Sequence, residues 1–344
     1  MRMNFKQTTL AAAVAATLAM GISGQANAFV YAGSGLSVDQ LRIAITGTGV
    51  TTAVNRFDFN LTNTATLNGA SAIQTATCGG TIGSNTCSAG TPTLDALPAN
   101  APGSTVNRVN NQTTGGEFTF IGVANGFTGN FANSDSVINT AELVQLGQPT
   151  STHNIAEALL NSAVNAQSSS QIQSITGLTF TFTIGGGPAT LDLSFLADPD
   201  VESFASGETG TFSAQANLNA SFTLAQTSGG AGFINWAPRG TVANDCVAAG
   251  GLVCTETADT QPLNVNTGVT TNTFDRVSWD PNALNETAFG IHITGLTAGT
   301  YTLTLNEVKS TSLARAPLPE PGTLALMGIG IMGLFASIRR KKLI

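Results

Sequence analysis

Apolar side chains stand at every second position from Phe212 through Ala214, Ala216, Leu218, Ala220 and Phe222 to Leu224, with polar residues between them. A helix would scatter these seven side chains around its axis, whereas a strand sets them all on one face. The stretch therefore predicts one long, half-buried strand whose apolar face needs a partner layer. The same period recurs at Leu41, Ile43 and Ile45, at Phe57, Phe59 and Leu61, and at Phe118 and Phe120. It returns at Leu178, Phe180, Phe182 and Ile184, at Leu191, Leu193 and Phe195, at Phe289, Ile291 and Ile293, and at Tyr301, Leu303 and Leu305. Gly185-Gly186-Gly187-Pro188 predicts a hairpin between two of these runs, and Gly295 and Gly299 predict meander pairing of the last two. A parallel sheet covered on both sides would show near-continuous apolar runs instead. The fold class expected is mostly β, an antiparallel β-sandwich or jelly-roll-like domain with one short helix.

That helix is expected from Ile155 to about Ala166, where Ile155, Leu159 and Ala163 share a face. Asn154 and Glu157 have the spacing of a capping box, and Pro149 keeps the preceding chain extended. Glu142, Leu143, Val144 and Leu146 could add a short turn. Residues 88–116 are rich in Pro, Gly, Asn and Thr, with Pro92, Pro98 and Pro102. They are expected to form a loop or linker, the one place where a 29–316 ectodomain could divide.

Both ends of the chain carry targeting features. Arg2 and Lys6 precede an apolar stretch from Leu10 to Ile22, and Ala26-Asn27-Ala28 has the small-x-small form of a cleavage site. Residues 1–28 are therefore expected to be a signal peptide removed before Phe29. At the other end, Pro319, Glu320 and Pro321 precede a 16-residue apolar run from Thr323 to Ile338, closed by Arg339, Arg340, Lys341 and Lys342. The run falls short of the roughly 20 residues that span a bilayer, but snorkelling basic side chains and local thinning allow a transmembrane helix over about 323–338. The basic quartet belongs on the cytoplasmic side, which leaves the ectodomain outside.

This order of parts resembles the C-terminal sorting signal of PEP-CTERM proteins of Gram-negative bacteria. The resemblance implies processing near Pro319-Glu320-Pro321 by exosortase, a membrane-embedded transpeptidase, after transient anchoring in the inner membrane. It also implies delivery to the cell surface or its exopolysaccharide matrix, and a Thr-rich β ectodomain. Proline fixes φ and disfavours helix in the residue before it, so Leu318 and Glu320 stay extended where an enzyme can grip them. A sortase signal would need threonine where Pro321 stands. A permanent anchor with an incidental Pro-Glu-Pro is a competing reading. Gly328, Gly330 and Gly333 spell G-x-G-x-x-G without the strand, turn and helix of a dinucleotide site, and serve helix packing more simply.

Of 13 basic and 20 acidic residues, two bases lie in the leader, four in the tail, and one acid, Glu320, outside the ectodomain. The ectodomain keeps 7 bases against 19 acids. Such an acidic surface disfavours nucleic acid and anionic lipid as partners. Four cysteines form two local pairs, Cys78 with Cys87 and Cys246 with Cys254. In an exported chain these pairings are the best of three possible connectivities, with zinc as the alternative.

Signals for catalysis are sparse. His292 lies between two core-facing isoleucines and is expected on a solvated face, and His153 in a loop before the helix. Asp198, Asp200 and Glu202, followed by Glu208, offer alternate carboxylates that could chelate calcium, although a solvated turn at Pro199 is the simpler account. Trp236 and Trp279 lie in loop-rich sequence and could form a sugar-binding platform if exposed together. No cofactor is expected. The reading is of a non-enzymatic surface or matrix protein associated with exopolysaccharide, with a glycan-binding adhesin as the alternative and a hydrolase using the Asp198 group as a third.

Overall fold

The computed structural model describes residues 28–48, 50–81, 84–85, 93–109, 119–140, 150–161, 168–208, 210–241, 245–281 and 283–315. Ala26, the turn expected at 142–146, the sorting motif, the 323–338 helix and the basic quartet lie outside them. Among the described residues no helix is long and apolar enough to cross a membrane.

In chain order the strands are β1 Phe29–Thr46, β2 Thr52–Leu67, β3 Ala70–Thr81, β4 Ser84–Asn85, β5 Thr93–Asn100, β6 Phe131–Thr140, β7 Thr150–Asn161, β8 Ser168–Ile184 and β9 Ala189–Ser206. They continue as β10 Phe212–Ser228, β11 Phe233–Trp236, β12 Cys246–Ala249, β13 Val253–Asp259, β14 Asn264–Val269, β15 Phe274–Val277, β16 Thr287–Leu296 and β17 Gly299–Arg315. Among the described residues one helix, α1, spans Ile121–Ala124. The first sheet runs β13-β16-β9-β1-β7-β6-β5 with β15 beside β9, and the second runs β12-β11-β10-β17-β8-β2-β3-β4 with β14 beside β10. Their inner faces share one core, in which Phe195 of the first sheet meets Phe222 and Trp236 of the second at ring distances of 5.0 and 5.9 Å. The protein is thus mostly antiparallel β, as the alternation predicts, and the long strand through 212–224 is β10.

Several expectations need correction. The glycine-rich loop at 185–188 does not close a hairpin, because β8 lies in the second sheet and β9 in the first. The turn between β16 and β17 crosses between sheets in the same way, so that pair is no meander. A hairpin and an arch bury the same alternate residues, one on a single sheet face and the other across the core, so periodicity cannot separate them.

Over Ile155–Asn161 the expected helix is instead part of strand β7, pairing with β1 and β6, and the rest of it, with Ala163 and Ala166, lies outside the described residues. Both faces of β7 are buried from Thr152 to Leu160, which erases the polar alternation that marks a strand. Within the expected loop at 88–116, Thr93–Asn100 forms edge strand β5 against β6. Phe120 is not in a strand: it immediately precedes α1, with its ring buried, while Phe118 lies outside the described residues.

The first ten residues of β1 are almost wholly buried because the outer face of its sheet is covered as well. A second apolar cluster forms there, in which Tyr31, Phe120, Phe131, Ile155 and Leu159 pack with Phe127, Phe204 and Trp279.

Candidate functional site

The site lies on that covered outer face, along β1. Gly33, Gly35 and Ser37 point outward and are flanked in register by Glu157, Ile155 and His153 of β7 and by Glu202, Asp200 and Asp198 of β9. Small residues are needed on β1 because aromatic rings sit directly above it. A Cβ on Gly33 would lie 2.6 Å from Tyr31 Oη and 2.9 Å from the Phe120 ring, and one on Gly35 would lie 2.9 Å from Phe120. Trp279 closes the cover, at ring distances of 4.8 Å from Phe120 and 6.2 Å from Tyr31.

Under this cover the carboxylates are held by donors from β1, from β15 and from distant loops. Glu157 accepts from Tyr31 Oη at 3.0 Å, Arg108 Nη2 at 3.1 Å, and the backbone N–H groups of Ile121 and Gly122 at 2.9 and 2.6 Å. Burial raises its pKa, against the opposing pull of Arg108 and these hydrogen bonds. Burial likewise drives the Tyr31 hydroxyl well above its usual value, aided by the charges of Glu157 and Glu202. Glu202 accepts from Arg276 Nε at 2.5 Å. Asp200 accepts the N–H of Asp280 and Asp198 that of Asn285, each at 2.8 Å.

Asp198, Asp200 and Asp280 each place a carboxylate oxygen within 4.8 Å of the others. These hard oxygen donors could hold a divalent cation such as calcium. The membership differs from the sequence expectation: Glu202 is committed to Arg276 and Glu208 to Arg315, whose Nε donates at 2.8 Å, while Asp280 joins the group. The solvated turn is also corrected, since Asp198, Asp200 and Glu202 are buried within β9. Nothing in the spacing of Asp280 marks it, because it reaches the group through a covering loop. A second carboxylate group is formed by Asp245, just before β12, with Glu256 and Asp259 of β13.

His153 is no loop residue. It is buried in β7 with neither ring nitrogen hydrogen-bonded, Nε2 lies 3.6 Å from Asp39 Oδ1, and burial lowers its pKa. Glu286, near Asp39, is raised to about 7 by burial first and then by Asp39 and Asp198. His292 stands on a partly exposed strand face, its Nδ1 2.6 Å from Asp192 Oδ1. The tryptophans do not share a face: Trp236 is wholly buried in the inner core, donating from Nε1 to Glu256 at 2.7 Å, whereas Trp279 belongs to the outer cover. Cys246 and Cys254 are joined. Cys78 is disulfide-bonded too, and Cys87 lies outside the described residues.

Residues 317–341 match the family model of the PEP-CTERM protein-sorting motif, in agreement with the resemblance read from the tail. Comparison with curated proteins and with solved structures finds no match. The motif is that of an exported protein that transits the membrane to the cell surface and is sorted by an exosortase.

Proposed function

We propose that this chain is a non-enzymatic surface or matrix protein, cut by exosortase near Pro319-Glu320-Pro321 and then associated with exopolysaccharide. The observation that carries the reading is the sorting motif at 317–341. A two-sheet domain with a disulfide at one edge and most of its buried carboxylates tied to arginines or backbone donors suits a durable extracellular part. The buried acid groups act here as internal fastenings of the outer cover. A glycan-binding adhesin built on paired tryptophans draws less support, because Trp236 is in the core.

The test follows the C-terminus by mass spectrometry in a host with and without exosortase. Loss of the tail only where the enzyme is present is the expected result. An intact tail in both hosts overturns the processing claim. Co-sedimentation of the processed protein with the host's own exopolysaccharide checks the association separately.

A further inference from the structure

Lysines occur at positions 6, 309, 341 and 342, so Lys309 is the one lysine of the ectodomain, and its other basic residues are all arginine. Lysine is rarely fully buried, yet Lys309 is 0% exposed, and so is Glu307 two residues before it on the same face of β17. Across the core, β7 of the opposite sheet presents Thr152 and Asn154. Glu307 Oε2 accepts from Lys309 Nζ at 2.8 Å and from Asn154 Nδ2 at 2.7 Å, while Thr152 Oγ1 donates to Oε1 at 2.7 Å. One carboxylate oxygen therefore holds an amine and a carboxamide side by side, and a threonine from the facing sheet fixes that carboxylate.

We infer that Lys309 and Asn154 form an intramolecular isopeptide bond, with Glu307 as the group that moves the protons, so that the two sheets become covalently joined. The unlinked side chains of the structure are the arrangement before bond formation. Lys309 passes one proton to Glu307 Oε2, and its neutral Nζ attacks Cγ of Asn154. Glu307 then gives its proton to Nδ2 and takes a second from Nζ. The Cγ–Nδ2 bond breaks, ammonia leaves, and a neutral amide and a protonated Glu307 remain. Every atom is accounted for, no electron changes owner, and no other reactant is needed.

Three features favour this course. Burial lowers the Lys309 pKa to about 8, against the pull of Glu307, so roughly a tenth of the amine is neutral at pH 7. Arginine, always protonated, could not serve as the nucleophile. The product also replaces two buried charges by neutral hydrogen-bonding groups, which removes the desolvation cost of the ion pair. This inference stands independently of the sorting reading.

The test is the mass of the purified full chain after reduction of its disulfides, with its termini mapped. The expected mass is lower than that of the sequence by one ammonia, and digestion yields a linked peptide pair containing both Asn154 and Lys309. Glu307→Gln restores the full mass. Should that variant fail to fold, Lys309→Met supplies the unlinked control, and Asn154→Asp is expected to lose water in place of ammonia. Recovery of Asn154 and Lys309 in separate peptides from the folded wild-type protein overturns the inference, as does an ammonia loss without a linked pair.

Discussion

Arg108 and Glu157 show what single residues do under the outer cover. Both side chains are buried, with the guanidinium 3.1 Å from the carboxylate, and Arg108 also donates from Nη1 to the Thr119 carbonyl at 3.1 Å. Arg108→Met leaves Glu157 with no cation beside it. The expected loss is about 3–5 kcal/mol, measured by urea denaturation, and Glu157→Gln in the same chain should recover part of it. Glu286 sets a pH dependence. Its folded-state pKa, about 7, lies above the ordinary value of 4.5, so the folded protein binds more protons than the unfolded chain between those limits. Stability is therefore highest below pH 4.5 as far as this group is concerned, falls as pH rises, and levels above 7. Denaturation midpoints across that window should decline in the wild type and decline less in Glu286→Gln. None of these partnerships was legible in the sequence. The acidic run at Asp198, Asp200 and Glu202 is visible there, but whether a carboxylate faces water, an arginine or another carboxylate depends on Arg276, Asp280 and Asn285, 74 to 87 positions away.

Among the elements, β7 and the β12–β13 edge carry the sharpest lessons. Asn154 and Glu157, which have the spacing of a capping box, are three apart on a strand and so point to opposite faces. Asn154 reaches Glu307 in the core and Glu157 reaches Arg108 under the cover. The strands with one solvated face, such as β10, were legible because water demands polar residues at every second position. β7, with no solvated face along most of its length, carried no such signal. At the edge, β12 ends the second sheet and β13 the first, and the Cys246–Cys254 disulfide ties them across a sequence separation of 8. Replacing both cysteines by serine should lower stability by about 2–3 kcal/mol, read from the denaturation midpoint at unchanged m-value. An unchanged midpoint would show that the sheets hold this edge without the staple.

At the scale of the whole molecule, the two sheets share one inner core from Val30 to Leu313, with residues on both sides of the Pro-rich stretch 88–116 contributing to it. The ectodomain is expected to unfold in one cooperative step, with tryptophan fluorescence and far-ultraviolet dichroism giving coincident transitions. Two separated transitions would instead mark a boundary inside 29–316. By itself the sequence determined the β class and the sorting address, because both are local: an alternation of side chains along a strand, and a Pro-Glu-Pro triplet before an apolar run and a basic end. Only the tertiary structure decided which sheet each strand entered and which polar groups were buried together. A short glycine loop can turn within a sheet or cross to the facing one without altering the pattern of apolar residues. Likewise a lysine, a glutamate and an asparagine become a chemical site only when strands more than 150 positions apart face each other across a core that excludes water.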